Sequence, residues 1–103
     1  MKPFAESSEE NKEPILAILR DELANMQRVL EVGSGTGQHA VFFAEQLPHL
    51  NWICSDLEEN HAGIRMWLEE AALENIEGPL LLDARETWPE IEADAVFSAN
   101  AVH

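Results

Sequence analysis

The sequence predicts an α/β fold built on an open parallel sheet. Two observations carry that prediction. Short β-branched and apolar runs alternate with longer segments whose apolar residues recur at three- and four-residue spacing. The resulting order is αβαβαββ, and strands separated by helices call for parallel crossovers.

Residues 1–12 are polar and acidic and read as an N-terminal arm, with the folded portion spanning 13–103. Pro14 suits the first turn of a helix, and Ile15, Ile18, Leu19, Leu23 and Met26 then form one buried stripe. The period changes at Arg28-Val29-Leu30-Glu31-Val32, a first strand stopped by Gly33-Ser34-Gly35-Thr36-Gly37. A second helix fits Gln38 to Gln46 and ends before Pro48. Asn51 to Ser55 is a second strand closing on Asp56, with Trp52 and Cys54 on one sheet face. The third helix runs from Glu59 to Glu74, and Ile64, Trp67, Leu68 and Ala71 share its buried face. Pro79 to Leu82 is a third strand closing on Asp83, and Asp94 to Asn100 a fourth. The ten residues between Asp83 and Asp94 are near the lower limit for a crossover and leave room for one helical turn, around Thr87 to Ile91.

Composition narrows the function. Asp and Glu number 20 against 6 Lys and Arg, a net charge of −14, and the basic residues are scattered. Neutralising phosphates needs clustered cations, so neither nucleic acid nor an anionic membrane surface is an expected partner of this segment. No apolar run approaches the ~20 residues of a membrane span, and the N-terminus lacks a secretory apolar region. Cys54 has no second cysteine to pair with, and no Cys/His cluster has zinc spacing. The expected compartment is the cytoplasm, and no metal is expected.

In an open parallel sheet, ligands collect beyond the carboxyl ends of the strands. Those ends carry the glycine loop, Asp56, Asp83, and Asn100 with His103 just beyond, while the strand bodies are apolar. Glycines at alternate positions let the backbone turn sharply and approach a ligand with no Cβ between. The helix that follows offers free N–H groups to an anionic group. Asp56 lies 23 residues after Gly33, close to the ~20-residue offset at which a carboxylate grips ribose hydroxyls. A phosphate-binding P-loop is excluded, because no Gly-Lys-Ser/Thr follows the glycines. The dinucleotide fingerprint fails from Gly33, where Gln38 takes the third glycine position, and matches formally from Gly35 as Gly35-Thr36-Gly37-Gln38-His39-Ala40.

Glu31-Val32-Gly33-Ser34-Gly35-Thr36-Gly37 resembles motif I of the class I S-adenosylmethionine-dependent methyltransferases. The resemblance implies a Rossmann-like sheet with strand four beside strand one, and S-adenosylmethionine as cofactor. It assigns Glu31, Gly33, Ser34, Gly35 and Gly37 to the cofactor loop, Asp56 to the ribose and Asp83 to the adenine amino group. Asn100 falls in the region beside the transferred methyl group. Asn11 to Leu16, Gly35 to Ala40, Leu47 to Trp52 and Pro79 to Asp83 are further similar to a small methyltransferase-like family catalogued as a domain of unknown function. Class I sheets have seven strands, so the chain reads as truncated after its fourth strand, supplying the cofactor side without the substrate side.

No catalytic residue is assigned. His39 and His103 are base candidates by type alone, and a histidine at position 39 of a surface helix reads first as solvated. Two other classes of function stay open: an NAD(P)-dependent oxidoreductase domain, from the shifted fingerprint, and a non-catalytic scaffold of the same fold. Self-association through exposed edge strands is an expectation of the latter.

Overall fold

The structure, a computed structural model, describes residues 6–83 and 91–98. Its elements are α1 (Glu6–Glu22), β1 (Arg28–Val32), α2 (Gln38–Gln46), β2 (Asn51–Asp56), α3 (Glu58–Ala71), β3 (Ile76–Leu81) and β4 (Ala95–Phe97). The strands form one parallel sheet in the order β3-β2-β1-β4. The chain adds strands outward from β1 to β3 and then returns to place β4 on the other side of β1. That reversal opens a crevice at the carboxyl ends of β1 and β4, the place where sheets of this kind take ligands.

One sheet face, with Val29, Trp52 and Cys54, carries the three helices among the described residues. Leu16, Leu19 and Leu23 of α1, Ala40, Phe43 and Ala44 of α2, and Ile64 of α3 close over it. Phe43 is fully buried, and its ring lies 5.6 Å from that of Trp52 and 5.8 Å from that of Phe97. On the other face Leu30, Val32 and Ile53 pack with Leu82, against which Leu80, Ile91 and Ala93 lean. At the sheet's two outer strands, Leu81 is 64% and Val96 57% exposed. Among the described residues no helix is long and apolar enough to cross a membrane.

Several boundaries differ from the sequence expectation. The first helix begins at Glu6, so residues 6–12, expected in an arm, are helical and Pro14 lies inside the helix. Proline removes one intrahelical hydrogen bond. The turns before it are tied down elsewhere, by the ion pair of Lys12 with Glu9 and by the Lys12 ammonium 4.7 Å over the Phe42 ring. Ile18, expected in the buried stripe, is 62% exposed, because Leu16, Leu19 and Leu23 define the inward face.

The third helix stops at Ala71, three residues early. Ala72 adopts the left-handed conformation, and its N–H bonds the carbonyl of Leu68. Asn75 then donates its side-chain amide to the carbonyls of Ala44 and Leu50, which starts β3 at Ile76 rather than Pro79. The fourth strand is shorter than expected at its front, because Asp94 turns its carboxylate onto the N–H groups of Gln27 and Arg28. Those two bonds hold the Asp94 carboxyl below its usual pKa. The expected turn around Thr87 lies outside the described residues.

Phe43 joins helix, central sheet and the short outer strand in one contact. Phe43→Ala is expected to cost about 3–5 kcal/mol of stability, read as a lower midpoint in urea denaturation followed by far-UV circular dichroism.

Candidate functional site at the carboxyl ends of the central strands

The segment after β1 cannot continue as a strand, because Gly33, Gly35 and Gly37 all have positive φ (74°, 63° and 97°). It folds back over the end of β2 and is pinned there. The N–H groups of Gly33 and Ser34 both donate to the Ser55 carbonyl, at 3.0 and 2.9 Å. Ser55 returns its own N–H to the Ser34 hydroxyl (3.1 Å) and its hydroxyl to the Glu31 carbonyl (2.5 Å). Gly35 N–H donates to the Asp56 carboxylate at 2.7 Å.

Two of the glycines have different reasons to be glycine. A Cβ at Gly33 would meet nothing within 4 Å, so the loop there faces open space. A Cβ at Gly37 would stand 3.2 Å from Ile64 Cα and from Trp67 Cβ, so the missing side chain lets α2 approach α3. Gly37 also precedes the first turn of α2, which holds no acidic residue, while the Thr36 hydroxyl accepts the Gln38 N–H. The positive end of that helix dipole is therefore not countered by a carboxylate of its own first turn.

Asp56, on the last residue of β2, is buried. One carboxylate oxygen takes the Gly35 N–H and the other the Leu57 N–H at 2.6 Å. The sequence reading did not single out His61, yet its buried ring donates Nε2–H to the Asp56 carbonyl at 2.9 Å. A histidine five residues after a strand-end acid, inside the next helix, is the signal that could have found it.

Glu31 is 1% exposed. Its carboxylate accepts the Trp52 indole N–H at 3.2 Å and a hydrogen bond from the Ser34 side chain. Burial dominates: it pushes the Glu31 pKa from 4.5 up to about 7, with the neighbouring Asp56 charge adding to the rise and the two hydrogen bonds opposing it. Burial and the Glu31 charge also push the Cys54 thiol up, so it stays neutral and is no nucleophile.

The structure thus brings Glu31, Gly33, Ser34, Gly35, Gly37 and Asp56 into one site at the ends of β1 and β2. Asp83 follows β3 at the same edge of the sheet and is half-buried. Asn100 and His103 lie outside the described residues. His39 corrects the expectation of a solvated side chain: it is buried in the first turn of α2, its ring 5.2 Å from that of Phe43. Trp67, expected in the core, is only half-buried.

A hollow of about 340 Å³ lies between the loop and the start of α3, lined by Gly35, Thr36, Glu59, Asn60 and Gly63. No lysine or arginine is among those residues. A larger hollow of about 670 Å³ lies at the opposite, amino end of the strands, beside Arg28, His49 and Asn75. Several of its polar side chains are spent on the fold: Arg28 donates to the Glu92 carbonyl, His49 to the Leu23 carbonyl, and Asn75 joins Ala44 to Leu50. The smaller of these two is the better ligand site, because it adjoins the glycine loop at Gly35 and Thr36. No three potential metal ligands are grouped among the described residues.

Comparison with known proteins agrees with this geometry. A family model described as protein of unknown function (DUF938) matches residues 2–103. The apo S-adenosylmethionine-dependent methyltransferase SibL is similar over 93% of this chain, at 25% identity and a TM-score of 0.83. Coclaurine N-methyltransferase, solved with N-methylheliamine and SAH, is similar over 95% at 17% identity and a TM-score of 0.70. An O-methyltransferase family protein from Burkholderia thailandensis is similar over 75% at 15% identity and a TM-score of 0.55. This chain spans only 28%, 30% and 23% of those three chains, respectively. Its sheet has their Rossmann-like methyltransferase fold, with β4 beside β1 as the motif resemblance implies.

The buried Glu31 sets a pH dependence with a definite sign. Its folded pKa of about 7 exceeds its ordinary value of 4.5, so the folded state binds more protons between the two, and the stability due to Glu31 falls as pH rises through that window. Glu31→Gln is expected to gain on the wild type by about 3 kcal/mol from about pH 4.5 to pH 8, read by urea denaturation at each pH. A difference that does not change with pH would contradict the burial of an ionisable Glu31.

Proposed function

The chain belongs to the DUF938 family, and from that premise we propose that it is the S-adenosylmethionine-binding portion of a methyltransferase. One observation carries the reading most directly: an open glycine loop at the sheet's reversal point, bordered by buried carboxylates and by a hollow with no basic residue among the described ones that line it. S-adenosylmethionine carries a sulfonium charge and no phosphate. A nicotinamide dinucleotide carries a diphosphate, and among the described residues lining the hollow Glu59 is acidic and none is lysine or arginine.

The residues fit such a ligand. Gly33 offers space where a Cβ would stand, and the amide-rich start of α2 suits the ligand's carboxylate. Asp56 uses one lone pair on each oxygen for the backbone and keeps acceptor capacity for ribose hydroxyls. Asp83 and Asn100 are assigned to the adenine amino group and the methyl region by motif resemblance. When bound, the cofactor supplies an electrophilic methyl group on sulfur. The contribution of this chain is positioning: it holds one partner of an in-line displacement in a fixed orientation. The methyl acceptor, a small molecule or a protein, meets parts of the enzyme beyond this cofactor side. His39, packed on Phe43, is not placed as a base.

Calorimetric titration separates the readings. The protein is expected to bind S-adenosylhomocysteine and to give no heat with NAD. Asp56→Ala is expected to weaken the former by about 1.5–3 kcal/mol, the scale of a hydrogen bond to a charged group. Heat with NAD alone would overturn the methyltransferase reading.

A further inference from the structure

We propose that His61 is a positioning residue of the cofactor site: by donating to the Asp56 main chain it fixes the spacing between the two walls of the hollow beside the glycine loop, and so the fit of a ligand between them. This rests on the S-adenosylmethionine reading above.

Asp56 joins the two walls, one through its side chain and the other through its main chain. One wall is the loop, at Gly35 and Thr36, and the other is the start of α3, at Glu59, Asn60 and Gly63. The Asp56 carboxylate holds the loop wall, taking the Gly35 N–H at 2.7 Å. The Asp56 carbonyl holds the helix wall: it accepts the His61 Nε2–H at 2.9 Å, and His61 follows Asn60 and precedes Gly63 on α3. The same carbonyl takes the Leu82 N–H at 3.1 Å, which fixes the chain just before Asp83. Loop, helix and the end of β3 therefore converge on one residue.

The start of α3 needs such a tie. β2 ends at Asp56 and α3 begins at Glu58, so Leu57 alone makes the turn between them. Leu57 is also the N-cap, and its side chain offers no acceptor to the free amides of the first turn. His61 closes the turn from the helix side, five residues after Asp56, with its ring buried at 7% exposure. Further along, close packing sets the spacing: a Cβ at Gly37 would stand 3.2 Å from Ile64 Cα and Trp67 Cβ. Loop and helix thus touch at Gly37 and part at the hollow, and the His61 bond governs how far they part. A carbonyl only accepts, so Nε2 carries the hydrogen. The imidazole acts through Asp56 and α3, and it does not itself line the hollow.

Two substitutions separate positioning from packing. His61→Leu removes the donor and keeps apolar bulk, and the Asp56 carbonyl retains the Leu82 N–H, so no buried acceptor is orphaned. His61→Gln returns an amide N–H at about the reach of Nε2. The test is calorimetric titration of the wild type and both variants with S-adenosylhomocysteine, beside urea denaturation of each. His61→Leu is expected to bind about tenfold more weakly, the scale of one lost hydrogen bond, and His61→Gln to recover most of that loss. A merely structural histidine would lower the urea midpoint and leave the affinity of the folded protein unchanged. Unchanged affinity in His61→Leu, or an equal loss in His61→Gln, overturns the proposal. If His61→Leu does not fold, the wild-type ring decides: nitrogen-15 NMR is expected to find hydrogen on Nε2 with and without S-adenosylhomocysteine, and a ring with hydrogen on Nδ1 alone overturns the proposal. Failure of the wild type to bind S-adenosylhomocysteine would instead overturn the cofactor reading on which it rests.

Discussion

The site depends on the pinning of one loop to one strand end. Ser55 does most of it, accepting two loop amides on its carbonyl and tying its own N–H and hydroxyl to Ser34 and Glu31. Asp56 adds the Gly35 amide. A glycine-rich segment left to itself samples many conformations, and holding it in one is costly in entropy. Here that cost falls on folding, through bonds made within the protein, rather than on ligand binding. The cradle is preorganised, and a ligand meets a loop already in shape.

The same pinning explains why acids gather where they are rarely tolerated. Folding the loop over β2 carries Glu31 and Asp56 inside together. Asp56 is held by two short backbone N–H bonds. Glu31 has only the Trp52 indole and the Ser34 side chain, and it answers burial by holding its proton.

The sheet was legible in the sequence because burial on both faces leaves continuous apolar runs, and because ligand-facing ends must break them with glycine or acid. Arg28–Val32, Gln38–Gln46 and the polar residue after each strand follow from that pattern. What was not legible depends on contacts distant in sequence. Pro14 looked like a helix start, since local propensity says nothing of Lys12 reaching Phe42. Asn75 was given no element, since its role is to join Ala44 and Leu50, and Asp94 looked like a strand residue, since its role is to cap β1. His61 escaped notice because its partner is a carbonyl, which any residue possesses. Glu31 was legible as a motif residue, but its raised pKa was not: that follows from depth, which is not written locally.

The central claim is that a ligand sits on this preformed loop. It is tested most directly by a crystal structure of the protein grown with S-adenosylhomocysteine. The account predicts the ligand over Gly33 to Gly37, with its ribose hydroxyls on Asp56 and the Gly35 amide bond to Asp56 retained. A ligand seated instead in the hollow beside Arg28, His49 and Asn75, at the amino end of the strands, would contradict it.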